Sequence, residues 1–483
     1  GPVLPELVAE GGRPRRGRAR GVTRAERSTL TGAGRPGRVP RAEGVETWSA
    51  YDELVPRTTG LPAARERLAE LRRRRPGSAG DLASVREVIV VASSSRGGST
   101  LVGELLRQCP GLLHLRAEVN PLFVVAGLED GGRRQVLAAE LAAEVGRPAV
   151  GLGPEEVDEL CLAVAWRLSV QWPLLEIDVD DVDRWVRETL AELGAADPPW
   201  ASIGFADRQA FHLRLLHRAR AAHPQIDPWY YDLPAHAVRA SFPDVPPPDG
   251  PPGQALIEMP PFVLVGPWRR PSAAELAALP LVLTTPRNSF RLEFLRSLFP
   301  LARLRVVHLT RNPAASVNGL VDGWLHHGFF NCPVGRRLTI RGYSDEHPRW
   351  GTTWWCYDFW PEWEAWTDAS LAEVCAEQWR TPHQATLDFL ASTDASWHRL
   401  VYEEVTGGDG ERAGAFTALG EWLGDVEGVS DLGQVRLPPL MATATPRPRR
   451  WEARAAALAA PLARVEVAEL AERLGYGDPS MWR

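Results

Sequence analysis

The chain has 483 residues, 44% hydrophobic and 24% charged, which suffices for one large α/β domain with insertions or for two domains. Its formal net charge of −6 gives no global pull toward nucleic acid or an anionic membrane, so any anion site has to be local. All 55 basic residues are arginines, which excludes a Schiff-base lysine, a Walker-type phosphate-loop lysine and a kinase strand lysine.

Residues 1–45 mix Gly, Pro and Arg with few large apolar side chains, predicting a flexible arm that cannot bury enough surface to order itself. Gly1-Pro2 reads as the scar of a cleaved tag. No aromatic is interleaved with the arm's arginines, so a solvated arm is expected rather than a nucleic-acid contact. From Leu61 to Arg75 the apolar positions Leu61, Ala64, Leu68 and Leu71 recur at helical spacing. Val88 to Ala92 is a run without polar alternation, the signature of a parallel strand buried on both faces. Ser93 to Gly98 predicts a tight turn, and Ser99-Thr100-Leu101 opens a helix. Further strands are expected at Leu112–Leu115, Leu279–Leu283, Leu304–Leu309 and Leu400–Tyr402.

Residues 121–278 read as a large, mainly helical insertion, punctuated by the Pro/Gly-rich segment from Pro246 to Gly253. The Trp-dense stretch from Trp350 to Trp379 reads as aromatic core and wall. Ala453 to Leu474 is amphipathic and stops at Gly475, a residue suited to a left-handed cap. Strands alternating with helices predict an α/β fold around a central parallel sheet. The five cysteines, Cys109, Cys161, Cys332, Cys356 and Cys375, form no metal-ligand spacing and no even disulfide framework, which fits a reduced, cytoplasmic setting. No apolar run approaches the ~18 residues that would cross a bilayer, and no charged-then-apolar leader opens the chain.

Two constellations carry chemistry. In the first, Ser94 to Leu101 follows a buried strand and starts a helix, so backbone N–H groups freed by Gly97 and Gly98 converge on an anion. The hydroxyls of Ser99 and Thr100 add donors, and Arg96 adds a fixed charge. In the second, Arg305 to Asn318 is again strand then helix. Arg311 stands at the strand's carboxyl end, where ligands bind in open parallel sheets, and Pro313 occupies the first helical turn.

The segments V-V-A-S-S-S-R-G-G-S-T-L and V-V-H-L-T-R-N-P-A-A-S-V-N resemble the 5′-phosphosulfate loop and 3′-phosphate motif of the sulfotransferases that use 3′-phosphoadenosine 5′-phosphosulfate (PAPS), in their bacterial and carbohydrate-type branch. Later segments, L-T-T-P-R-N-S-F-R-L-E-F-L, L-V-Y-E-E-V and T-P-R-P-R-R-W, extend the likeness over about residues 86–120 and 279–475. The resemblance implies a P-loop-like three-layer fold with PAPS as co-substrate and no metal. It implies that Arg96, Gly97, Gly98, Ser99, Thr100 and Leu101 hold the 5′-phosphate and leaving oxygen, and that Arg311 pairs the 3′-phosphate. It further places Tyr402 against adenine and Arg449, Arg450 and Trp451 over the 3′-phosphate. Three positions depart from the pattern. Arg96 stands where many members have lysine, Thr284 where lysine precedes Thr-Pro, and Gly319 where a serine is expected. Arg287 is a candidate for the missing charge, and Ser316 or Asn318 for the missing hydroxyl.

Transfer to an alcohol needs a general base. Glu118 and His114, close to the second strand, are the candidates, and Glu118 matches the family better. The expected acceptor is a small molecule, free or carrier-bound, of secondary-metabolite type, with the insertion as its wall. A P-loop kinase or NTPase and a non-catalytic nucleotide-binding protein are the rival readings.

Overall fold

The computed structural model describes residues 61–74, 82–116, 118–126, 133–149, 151–193, 205–251, 265–326, 331–437 and 439–482. The arm expected at 1–45 lies outside them. The strands are β1 (Glu87–Ala92), β2 (Leu113–Leu115), β3 (Val145–Pro148), β4 (Trp268–Arg269), β5 (Leu281–Thr284), β6 (Arg303–Thr310), β7 (Asn331–Pro333), β8 (Trp354–Cys356) and β9 (Ser396–Val401). Seven form one sheet in the order β4-β3-β2-β5-β1-β6-β9, and β7 and β8 form a separate antiparallel pair. The five strands from β2 to β9 are parallel, in registers such as Val90 opposite Leu283 and Val306. β3 and β4 add antiparallel at one edge.

The unalternated apolar run of β1 is explained by its surroundings. Val88, Val90 and Ala92 join one core with the helices Leu61–Arg73, Arg133–Glu144 and Pro154–Gln171. Ile89 and Val91 face the other core, with Val102 and Leu105 of helix Ser99–Leu106 and Phe416 and Leu419 of helix Asp409–Leu423. A strand buried on both faces needs apolar residues at both parities. The fold is therefore α/β, with helices on both faces of a mainly parallel sheet.

A third core gathers Trp324, Trp350, Trp355, Trp360, Trp363 and Trp379 with Tyr343. Trp324 packs edge-on to Trp355 at 5.1 Å and to Tyr343 at 4.6 Å, the geometry favoured by ring quadrupoles. These rings pack as a core, as expected of the Trp-dense segment.

The structure departs from the sequence-based expectations in four places. The insertion supplies β3 and β4, which went unpredicted because V-G-R-P and W-R are too short and too polar to show a period. Pro148 is tolerated because it ends β3, beyond the Val145 and Gly146 positions that pair with β2, and Gly146 lets the strand pass beneath Trp268, whose Nε1 would lie 2.1 Å from an added Cβ. The last parallel strand runs Ser396–Val401, and Tyr402 opens a short helix instead of ending the strand. The expected helix from Ala453 to Leu474 is divided into Arg450–Arg454, Ala455–Leu462 and Val465–Arg473, although Gly475 does take the left-handed φ of 78°. The β7–β8 pair was not predicted.

All five cysteines are free and buried. Among the described residues no helix is long and apolar enough to cross a membrane.

Candidate functional site

Both constellations end at the carboxyl edge of the sheet, on neighbouring strands β1 and β6. The loop after β1 closes with Gly97 N–H donating to the Ser94 carbonyl at 3.0 Å. It is pinned from β5's side by Ser289 Oγ donating to the Ser93 carbonyl at 2.9 Å. Gly98 has φ 101°, and an added Cβ would lie 2.3 Å from the Tyr402 ring, so only glycine fits under that ring. Arg311, at the end of β6, donates Nη1 to the Arg96 carbonyl at 2.9 Å, while its guanidinium lies 4.4 Å from the Tyr402 ring centroid. One hydrogen bond and one cation–π contact thus join loop, second arginine and tyrosine. Burial lowers the Arg311 pKa, with Tyr402 and Glu403 opposing that shift. Arg311 Nε is buried without a hydrogen-bond partner.

Helix Pro313–Trp324 is capped by Asn312, whose Oδ1 accepts the Ala315 N–H at 2.8 Å. Asn312 itself donates through N and Nδ2 to Glu403 Oε1 at 2.9 and 2.7 Å, and Tyr476 donates to Glu403 Oε2 at 3.2 Å. Glu403 thus fixes the turn that carries Arg311.

A cavity of about 720 Å³ opens over these strand ends, within the range of nucleotide-sized sites. Of the residues expected at the site, Arg96, Gly98, Ser99, Thr100, Leu101, Glu118, Arg311, Asn318, Tyr402, Arg449, Arg450 and Trp451 line it. Gly97, Ser316 and His114 do not. Gly97 sits behind the loop, where an added Cβ would meet the Ser94 carbonyl at 2.7 Å. Ser316 is wholly buried in its helix with Oγ unpartnered. His114 is buried in β2, opposite Val282 and Gly146. Burial, reinforced by Arg107, drives its imidazole well below the usual range. Gly319, in place of the expected serine, lies against Arg96, its hypothetical Cβ 3.5 Å from Arg96 Cβ. Thr284 packs on Gly103 away from the cavity, whereas Arg287 lines it.

Glu118 lies beyond β2, between that strand and helix Asn120–Ala126. Its Oε2 accepts from Thr285 Oγ1 at 3.3 Å, and Asn120 Nδ2 also donates to Thr285 Oγ1 at 3.1 Å. Burial pushes its carboxyl up, with Arg287 and the Thr285 hydrogen bond opposing.

The remaining wall is a strap from Pro439 to Pro448. Arg96 holds it, donating Nη1 to the Met441 carbonyl at 2.8 Å and Nη2 to Thr443 Oγ1 at 3.2 Å. From the other side Asp232 accepts the Met441 N–H, and burial raises its carboxyl to about 6. After the strap, Arg450 and Arg454 both pair with Asp322, and Arg454 also donates to Asn318 Oδ1 at 2.7 Å. Six described non-glycine residues have positive φ, and four of them, Arg96, Tyr357, Met441 and Arg449, line this cavity. Each such conformation costs about 1–3 kcal/mol and persists only where packing enforces it, which is common at ligand sites.

Sequence reasoning missed Asp358, Met441 and the strap. Asp358 sits in an aromatic run that reads as core, and the strap has no period. It also assigned the acceptor wall to residues 121–278, of which, among the described residues, only Pro121 lines the cavity. No described group of His, Cys, Asp and Glu is arranged to hold a metal. No family model, curated protein or solved structure matches the chain.

Proposed function

We propose that the cavity binds PAPS and that the chain transfers its sulfuryl group to a hydroxyl or amine of a small-molecule acceptor, free or carrier-bound. The observation that carries this reading is the meeting of Arg96 and Arg311 at the ends of adjacent parallel strands, beside a glycine loop and a helix N-terminus. Two fixed cations on one nucleotide-sized cavity suit a ligand phosphorylated at both ends. In chain order the parallel strands lie second, third, first, fourth, fifth, so the connections after β1 and β6 leave in opposite directions and open a crevice between them. This order supports a P-loop-like architecture, and helices on both faces support three layers.

The residues divide the work. Loop amides and Arg96 hold the 5′-phosphate and stabilise the charge that develops on it. Arg311 takes the 3′-phosphate, with Arg449 and Arg450 also on the cavity wall. The acceptor oxygen attacks sulfur from the Glu118 side, the bond from sulfur to the bridging oxygen breaks, and its electron pair stays on the 5′-phosphate. Glu118 takes the acceptor proton. His114, out of the cavity, serves packing.

Calorimetry tests the binding half: 3′-phosphoadenosine 5′-phosphate should bind more tightly than ADP or ATP. Mass spectrometry tests the transfer half, since incubation with PAPS and a panel of alcohols and amines should give products heavier by one SO₃. Preference for ATP with phosphoryl transfer would make the chain a kinase, and binding without any transfer would make it a nucleotide-binding protein.

A further inference from the structure

Beneath the anion loop lies a contact that bridges two parts of the molecule otherwise unrelated in sequence. Asp358 is almost wholly buried at the edge of the tryptophan core. Its backbone carbonyl accepts from Trp355 Nε1 at 3.2 Å and from Gln378 Nε2 at 3.0 Å, and Gln378 in turn accepts from Trp324 Nε1 at 2.8 Å. Tyr357, immediately before it, is held at φ 65°. The backbone of Asp358 is thus set by the core. Its side chain leaves the core: Oδ2 accepts from Ser95 Oγ at 2.5 Å, and Oδ1 lies 3.5 Å from Arg287 Nε. Ser95 directly precedes Arg96 in the loop, and Arg287 lines the cavity together with Glu118.

We propose that Asp358 is a positioning residue of this site. One carboxylate oxygen ties the anion loop, and the other ties Arg287 on the Glu118 side, so that the rigid tryptophan core fixes the distance between the two halves of the cavity. A short bond from a hydroxyl to a buried carboxylate is among the strongest neutral-to-charged contacts, and here it acts on the residue before a strained arginine. The loop geometry holds whatever the cavity binds, whereas the bearing on transfer rests on the sulfotransferase reading.

The test uses the full chain with Asp358→Ala, Asp358→Asn and Ser95→Ala, followed by hydrogen exchange of the amides at 94–98 and by calorimetry. Asp358→Ala and Ser95→Ala should each speed loop exchange about tenfold, as expected for one lost hydrogen bond to a charged group. Asp358→Asn keeps an acceptor for Ser95 and should stay within about threefold of wild type. Binding of 3′-phosphoadenosine 5′-phosphate should separate the two Asp358 variants in sign. It weakens in Asp358→Ala because the loop loosens, and holds or tightens in Asp358→Asn because a negative charge beside the anion is gone. A residue that mattered only for folding would not give opposite signs.

In turnover, Asp358→Asn should move the acid limb to lower pH. The charged groups around Glu118 are Arg287, Arg167, Arg107 and Asp358, and the substitution removes the only negative one among them. Unchanged loop exchange in Asp358→Ala overturns the proposal, as does an Asn variant as impaired as the Ala variant in both measurements. If Asp358→Ala does not fold, Ser95→Ala decides the matter, because it leaves the core anchor intact. Failure of the wild-type protein to bind 3′-phosphoadenosine 5′-phosphate would overturn the sulfotransferase reading, and the exchange result would still decide the role of Asp358.

Discussion

The cavity has two walls of different construction. One is made by the ends of β1 and β6 with the helices that follow them. Its backbone is fixed by parallel pairing on both sides of β1, by the Asn312 cap and by Glu403, and every one of those contacts is buried or nearly so. The other wall is the Pro439–Pro448 strap and the Arg449–Arg454 turn, which have no ladder and are held by side chains: Arg96 and Asp232 on Met441, Arg450 and Arg454 on Asp322. Groups that must meet a transition state within a fraction of an ångström belong on the first kind of wall, and groups that admit and cover a ligand on the second. The two are joined at Arg96, which is built into the first and grips the second.

That division sets an order of sensitivities. Glu118→Gln keeps shape and removes basicity, so turnover should fall by roughly 10² to 10⁴ with little change in nucleotide affinity. The same variant should melt at a higher temperature than wild type at neutral pH. The unfolded carboxyl titrates near about 4.3, and the folded one above it, so between those values the folded state binds more protons and stability falls as pH rises. The cost of ionising Glu118 is fully present above the folded pKa and absent below the unfolded one, so the melting difference should vanish in acid. Equal melting curves at neutral pH would mean that Glu118 is not held in a desolvated place.

Arg96→Ala removes a preorganised cation and should lower turnover by about 10² or more while the fold survives. Because it also frees the strap, proteolysis near residue 441 should quicken. Normal turnover would remove Arg96 from the chemistry. Next comes Arg311→Ala, which should weaken 3′-phosphoadenosine 5′-phosphate about 10- to 100-fold, the range for one or two charge-assisted bonds, and AMP far less. Equal losses for both ligands, read by calorimetry, would show that Arg311 does not meet a 3′-phosphate.

The smallest effect belongs to the strap side. Arg454 is about one-third exposed where it meets Asp322. Arg454→Ala should therefore change stability by no more than about 1 kcal/mol and nucleotide affinity only a few-fold. A loss as large as that of Arg311→Ala would erase the distinction between the two walls.

Much of the first wall was legible in the sequence because its causes are local. A both-parity apolar run marks a doubly buried strand, a Gly-Gly pair marks the turn, and Asn-Pro marks the next helix start, all within a dozen residues. Of the second wall only Arg449, Arg450 and Trp451 were legible, through a resemblance; the strap's hold on the site was not, because Arg96 reaches Met441 across 345 positions, and the tie from Ser95 to Asp358 across 263 was hidden in the same way. No periodicity encodes a contact of that kind. The candidate bases show the boundary between the two cases. His114 and Glu118 are four residues apart, and composition treats them alike. The pleat turns His114 to the sheet face covered by helix Ser99–Leu106, opposite Leu113 and Leu115, while Glu118 lies past the strand's end, where the cavity opens.

By itself the sequence determined the β1 and β6 strand–loop–helix units, the arginine that each presents, and the exclusion of every lysine-based chemistry, because these depend on hydrogen bonds and hydrophobic burial over one or two turns of chain. The tertiary structure alone decided that β1 and β6 are neighbours, that the described residues of 121–278 share a core with one face of the sheet and extend its edge, and that a strap from the last tenth of the chain walls the site. Those outcomes depend on which buried faces find each other, and that is settled by the packing of the whole core rather than by any one segment.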